Sequence, residues 1–266
     1  MEKNFKIGFI GGGALAESVI RGIAGKLFEP ENIFVSELNQ NRCVELSEKY
    51  KIHAEISAEN FLEKISLLFV AVKPKDAEDA FRGLQNKLPE KTTVLSVVAG
   101  LKISAIEKIL PNNPVVRVMP NVAISVGEGM NTYTFNEKVS SEYREFVKKF
   151  LSSLGRSAEV DEKLMDAVTG LSGSGPAYAF LVIDALADGG VAAGLPRSTA
   201  IELAAQTLLG AAKMVLESGE HPDVLRDKVT SPAGTTIEGV RVLERGGVRS
   251  SFIEAVIAAT DKSKKL

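Results

Sequence analysis

Short apolar runs recur through the first part of the chain, at residues 5–10, 33–36, 67–72, 93–97 and 115–119, each followed by a helical or loop-like stretch. Runs of this kind predict strands, and the crossovers between them imply a mainly parallel sheet covered on both faces. A 3.6-residue period follows the first run over 14–23 and the second over 39–50, and a shorter helical piece spans 104–110, ending at Pro111. Weaker strand patterns at 125–130, 132–135 and 157–160 extend the sheet, with a helix over 142–154 between the last two. The order is α/β, a doubly wound, mainly parallel sheet.

From residue 161 strand alternation gives way to alanine- and leucine-rich helical periods, predicting helices over 176–193, 198–217, 222–229, 236–244 and 251–263. Ala177, Ala185, Ala187, Gly189 and Gly190 on the first of these would let another helix approach closely, either within the chain or across a subunit interface. The expected division is a sheet domain over 1–160 and an all-helical domain over 161–266, the latter the expected site of dimerisation.

Composition narrows the function classes. Of 266 residues, 45% are hydrophobic and 25% charged, and 32 basic against 34 acidic residues give a net charge of -2. That argues against disorder and against a polyanion surface, so nucleic acid is not an expected partner. A single cysteine, Cys43, and two distant histidines, His53 and His221, point to no disulfide and no metal centre. Residues 1–13 turn glycine-rich before a hydrophobic leader can form, and the apolar stretch 176–195 carries Asp184 and Asp188. The expectation is therefore a cytoplasmic protein with no membrane partner.

The sharpest local signal opens the first βα unit, where Gly11, Gly12, Gly13, Ala14, Leu15 and Ala16 join strand to helix. In a dinucleotide site one glycine permits the turn, a second lets a pyrophosphate approach the backbone, and a small residue lets the helix pack on the strand. Those roles fall on Gly11, Gly13 and Ala16. After the second strand, Glu37 can accept from a ribose 2′-hydroxyl and so favour NADH, whereas Ser36 and Asn39 can donate to the 2′-phosphate of NADPH. Arg42 can reach a phosphate or lie on a solvated helix face. The balance leans to NADH, with NADPH also accepted.

Three further segments look unlike ordinary packing: AVKP at 71–74, RVMPN at 117–121 and TSPAGTTIEG at 230–239. The first two follow strands, so their loops emerge at the carboxyl edge where open α/β sheets bind ligands. Lys73 there is either a surface charge or a partner for cofactor or substrate, and Asn121 either turns the chain or bonds a ligand. In the third, Pro232, Ala233 and Gly234 set up a bend before Thr235 and Thr236 open a helix. Backbone N–H groups and a hydroxyl can converge there on a carboxylate, or the segment is a plain helix cap.

Taken together these segments resemble the pyrroline-5-carboxylate reductases. The resemblance runs from IGFIGGGALAESVIRG through AVKP, SVVAG, VVRVMPN, GLSGSGPAYAFLVIDALADGG and GEHP to DKVTSPAGTTIEGVRVLERGG, essentially the whole chain. It implies an NADPH- or NADH-dependent reduction of 1-pyrroline-5-carboxylate to L-proline by a homodimer, sometimes assembled into a ring of dimers. It further implies an active site shared between the cofactor domain of one subunit and helical residues of the other. Carried over by position, Thr235 lies closest to the imine nitrogen, and the Gly234 to Thr236 backbone holds the substrate carboxylate with Ser231 in the same pocket. Val72, Lys73, Pro74, Met119, Pro120 and Asn121 shape the nicotinamide side. The family commonly has two glycines where this chain has Ala233-Gly234, often methionine at Leu15, and often arginine or proline near Ser36-Glu37-Leu38. A rival reading, a β-hydroxyacid-type dehydrogenase, would need Lys213 or Lys228 as a base. Another is a cofactor-sensing dimer without catalysis. His221, beside Glu220, is either an acid-base group or a helix cap.

Overall fold

The computed structural model describes residues 5–265. Its sheet has eight strands in the order β3-β2-β1-β4-β5-β6-β7-β8, where β1 is Ile7–Ile10, β2 Ile33–Ser36, β3 His53–Glu55, β4 Leu67–Val70, β5 Thr93–Ser96, β6 Val115–Met119, β7 Gly129–Phe135 and β8 Gly155–Glu159. Every neighbouring pair is parallel except β6 with β7. The crossovers carry α1 (Ala14–Ile23), α2 (Gln40–Tyr50), α3 (Ala77–Leu84), α4 (Ile103–Glu107) and α5 (Ser141–Ser152).

Alternation along the strands builds two cores, one per face. On β4, Leu67 and Phe69 join Phe9, Ile20, Leu46 and Phe150 on one face. Leu68 and Val70 join Phe61, Phe81 and Ile106 on the other. Each such side chain contributes about 1.5–3 kcal/mol relative to exposure, which is why strands this short stay fixed in register.

The structure departs from the sequence reading in places that have physical causes. The apolar residues at 125–130 do not begin a strand: Asn121 accepts from the Ala123 N–H at 3.2 Å and starts a 3₁₀ turn over Val122–Val126, so a single strand begins only at Gly129. The expected helix at 104–110 shortens to five residues at Ile103–Glu107. The sequence pattern shows neither β3, a three-residue edge strand on which His53 is exposed, nor α3, an eight-residue helix.

Contacts group the chain into two compact units, residues up to 173 with those from 259, and residues 174–258. The secondary structure turns helical just after β8, but the first helical residues belong to the sheet unit. There Glu162 accepts from the Ile103 N–H at 2.7 Å and from the buried Arg117 at 3.1 Å. Met165, in α6 (Met165–Val168), is fully buried.

The second unit contains α7 (Gly175–Ala192), α8 (Arg197–Ser218), α9 (Pro222–Lys228), α10 (Thr235–Arg245) and most of α11 (Val248–Ser263). Small residues make α7 and α8 a close pair: a β-carbon on Gly190 would sit 3.1 Å from that of Ala200, and Ala187 and Ala204 are buried. Larger apolar side chains on the same helices, among them Phe180, Leu181, Leu209 and Met214, are more than half exposed. α8 is long and apolar enough, by length and composition, to cross a membrane, at a mean hydropathy of 1.2. An exposed apolar face of this extent on a helix pair is what a subunit interface covers.

Candidate active site

The glycine run lies at the carboxyl end of β1, where the chain must turn sharply into α1. Gly11 has φ +93°, its N–H donates to the Ser36 carbonyl at 2.8 Å, and a β-carbon there would lie 2.6 Å from the Ala71 carbonyl oxygen. Both the backbone conformation and the close approach exclude a side chain. Gly13 differs: it is the N-cap of α1, with nothing within 4 Å of where a β-carbon would be. Its open side faces the first turn of α1, a ready anion site. Ala16 is fully buried, letting α1 sit close on the sheet, and Leu15 packs partly against the same core.

A hydrogen-bonded set of side chains fixes this loop from behind. Glu37 accepts from the Gly12 N–H at 2.8 Å and from the Asn39 N–H at 3.0 Å. Arg42 donates from Nε to the Gly12 carbonyl at 2.9 Å and pairs with Glu17 at 2.5 Å and Glu45 at 2.7 Å. Its guanidinium therefore positions the loop backbone. Glu17 also accepts from Lys49 at 2.8 Å and Tyr50 at 2.9 Å. Bonds from Lys49 first and then Arg42 hold its carboxyl at about 2, below the usual 4.5.

A carboxyl depressed in the folded state stabilises the protein above its unfolded pKa, and that contribution is lost as pH falls through the folded value. Glu17→Gln is accordingly expected to cost about 1–2 kcal/mol at neutral pH, reduced from the full shift because the cluster touches solvent. In melts taken across acid pH the gap between variant and parent should close between about 4.5 and about 2. A gap independent of pH would mean the cluster contributes nothing by charge.

In front of the loop lies an open cleft of about 550 Å³, lined among others by Gly11, Gly13, Ser36, Glu37, Val72 and Lys73. That is within the range of small-molecule sites, roughly 300–1,000 Å³. Leu38, Lys75, Asp76, Asp79 and Ala80 also line it. Leu38 belongs to the Ser36-Glu37-Leu38 stretch noted in the sequence, and the other four, which the sequence reading does not name, follow AVKP within one or two helical turns. Pro74 opens the 3₁₀ turn Pro74–Asp76 that leads into α3. Lys73 and Lys75 are exposed and have no ion pair among the described residues, leaving two cations on the rim.

The loop after β6 is held by its own side chain. Asn121 accepts from the Ala123 and Met130 N–H groups, each at 3.2 Å, and donates to the Ser172 carbonyl at 3.3 Å. What it brings to the carboxyl edge is the path of the backbone around Pro120. Met119 is buried, and a β-carbon on Gly173 would lie 3.5 Å from its sulfur.

The remaining candidates lie on one loop of the second unit. Ala233 has φ +56°, the left-handed conformation that glycine adopts most readily. The Gly234 N–H donates to the Ser231 carbonyl at 3.1 Å, and a β-carbon on Gly234 would strike the Ser231 hydroxyl. α10 then starts with Gly234 as an N-cap that supplies no side-chain bond. The Thr235 and Thr236 side chains are exposed and have no hydrogen-bond partner among the described residues. The start of α10 thus carries free first-turn N–H groups, the positive end of the helix dipole and two exposed hydroxyls.

The side chains that rival readings need are engaged elsewhere. Lys228 pairs with Glu220 at 2.5 Å, Lys213 with Glu217 at 3.8 Å, and His221 Nδ1 accepts from the Asp223 N–H at 3.2 Å as the N-cap of α9.

Comparison with known proteins bears on both units. Residues 162–266 match the family described as pyrroline-5-carboxylate reductase dimerisation, and residues 6–100 match that described as NADP oxidoreductase, coenzyme F420-dependent. The chain is similar to the pyrroline-5-carboxylate reductase of Arabidopsis thaliana, at 41% identity over 99% of this chain and 96% of the relative. Among solved structures it is similar to the pyrroline-5-carboxylate reductase of Coxiella burnetii, with a TM-score of 0.91 at 34% identity over 98% of each chain. The pyrroline carboxylate reductase of Plasmodium falciparum, solved with NADP bound, gives 0.89 at 32% identity over 99% of this chain and 98% of that one.

Proposed function

The chain belongs to the pyrroline-5-carboxylate reductase family, and from that premise we propose how its own residues carry the reaction. It reduces the C=N bond of 1-pyrroline-5-carboxylate with NAD(P)H, giving L-proline in the last step of proline biosynthesis. The observation that carries this reading is identity above 30% to such reductases sustained over nearly the whole chain.

The cleft suits a dinucleotide: an open Gly13, a helix N-terminus behind it and two unpaired lysines on the rim. Gly11 to Ala16 would hold the pyrophosphate, Ser36 and Glu37 would meet the adenosine ribose, and Val72, Lys73 and Pro74 with Met119, Pro120 and Asn121 would border the nicotinamide. When bound, the reduced nicotinamide supplies the hydride that adds to C5 of the imine. The Gly234 to Thr236 backbone would hold the substrate carboxylate at the start of α10, with Ser231 lining the same pocket, and so orient the ring. Thr235 would hydrogen-bond the ring nitrogen. An aliphatic hydroxyl is a poor acid near neutral pH, so the nitrogen proton arrives with the protonated imine or from water, and Thr235 positions the ring.

The working unit is a homodimer. We place the Thr235 loop of one subunit opposite the cofactor of the other, as the family resemblance implies, and extend the assembly to a ring of dimers in the cytoplasm. Purified protein mixed with 1-pyrroline-5-carboxylate and NADH or NADPH should consume cofactor and form proline in equal amounts. Binding of cofactor without proline formation would reject the reductase and favour a sensor.

A further inference from the structure

We infer that Glu37 makes this enzyme select NADH over NADPH, because its carboxylate is locked at the ribose end of the cleft while the Ser36 hydroxyl and the Arg42 guanidinium beside it are engaged elsewhere. The inference rests on the reading of the cleft as a dinucleotide site and deepens it.

Glu37 is held at four points. Its N–H donates to the Glu55 carbonyl at 3.0 Å, its carbonyl accepts from Cys43 Sγ at 3.2 Å, and its two carboxylate oxygens accept from Gly12 and Asn39 as described above. A carboxylate fixed in this way at the end of the second strand, on the cleft wall, can accept from a ribose 2′-hydroxyl. A 2′-phosphate would bring at least one further negative charge against it.

Binding that phosphate would require compensating donors; the charged and hydroxyl groups at and just after the end of β2 are committed, and the free Lys73 and Lys75 follow β4, on the far side of β1. The Ser36 hydroxyl donates to the Ile56 carbonyl at 2.8 Å. The Asn39 amide oxygen caps α2, accepting from Asn41 and Arg42 N–H groups at 3.0 and 3.4 Å. That leaves an uncharged NH₂ as its contribution. Arg42, the cation of α2 closest in sequence, is neutralised by Glu17 and Glu45 and bonded to Gly12. Leu38, next to Glu37 and 87% exposed, puts an apolar side chain where a cation would serve NADPH. Farther along the wall Asp76 and Asp79 offset the charges of Lys73 and Lys75, so the cleft holds no excess of positive charge beside Glu37.

Titrating the intact homodimer with NADH and with NADPH, without imine, and following nicotinamide fluorescence reads this directly. NADH is expected to bind at least tenfold tighter. Glu37→Gln should shrink that ratio at least tenfold, chiefly by tightening NADPH. Leu38→Arg leaves the bonds of Glu37 in place and so guards against loss of fold; it should tighten NADPH likewise, whereas Lys75→Ala should leave the ratio unchanged. NADPH bound as tightly as NADH by the parent protein would overturn the inference, as would an unchanged ratio in either Glu37→Gln or Leu38→Arg, or a selective loss of NADPH binding in Lys75→Ala. Binding of neither cofactor would instead reject the dinucleotide reading itself.

Discussion

Thr235→Ala should lower kcat about a hundredfold, roughly 2.7 kcal/mol of transition-state stabilisation, while leaving the Kd for NAD(P)H and the melting temperature nearly unchanged. The size follows from the chemistry. As hydride adds to C5 the ring nitrogen changes from an imine to an amine, and a hydroxyl fixed at that nitrogen holds the ring at the distance and angle the transfer needs. The selectivity follows from the structure. Thr235 is the first residue of α10, is exposed, and its side chain makes no hydrogen bond among the described residues, so its truncation removes nothing the fold relies on. Alanine is also the better helix former. Thr235→Ser should recover most of the activity, since it restores the hydroxyl. Full turnover by the alanine variant would remove Thr235 from the reaction and leave the first-turn N–H groups of α10 as the functional part of the loop.

Much of this arrangement is legible in the sequence, because strands buried on both faces write themselves as apolar runs. The residues of β2 and β6 and of α1 can be read off almost to the residue, and the glycine run after β1 has few uses other than a tight turn onto a helix. β3 is harder to see. It is a three-residue edge strand whose His53 is exposed, and its register with β2 comes from backbone pairing, which leaves no periodicity. α3 buries Ala77, Phe81 and Leu84, but eight residues starting in a Lys-Pro-Lys-Asp turn offer only two turns of pattern.

In the site, residue identity shows which groups are present and the fold decides which are free. Ser36, Asn39 and Arg42 all look able to receive a phosphate. The hydroxyl of the first is bonded to Ile56, the second caps a helix through its amide oxygen and keeps only its NH₂, and the third holds Gly12 and two glutamates. Glu17, which organises Arg42, Lys49 and Tyr50, reads in sequence as an ordinary surface acid. The same holds for Asn121, whose position after a strand fits a ligand contact as well as a turn, and whose amide oxygen accepts from the chain that follows it, at Ala123 and Met130.

Gly13→Val should weaken NAD(P)H binding at least about a hundredfold in a protein that still folds, because the pyrophosphate is expected to sit where the new side chain would stand. Gly13 has φ -69° and ψ -178°, open to any residue, and a β-carbon on it meets no atom within 4 Å. The cost to the fold is therefore confined to a poorer N-cap, about 1 kcal/mol. Its neighbours serve as controls, since they fail for other reasons. A β-carbon on Gly11 meets the Ala71 carbonyl oxygen at 2.6 Å, and one on Gly12 meets buried Leu46 at 2.8 Å and Glu37 at 3.2 Å. Valine at either should lower the melting temperature by many degrees. Cofactor titration beside a thermal melt thus separates one functional glycine from two structural ones. Parental cofactor affinity in folded Gly13→Val would mean that the dinucleotide does not approach α1 through this loop, and the cleft between Gly13, Glu37 and Lys73 would have to take a different ligand.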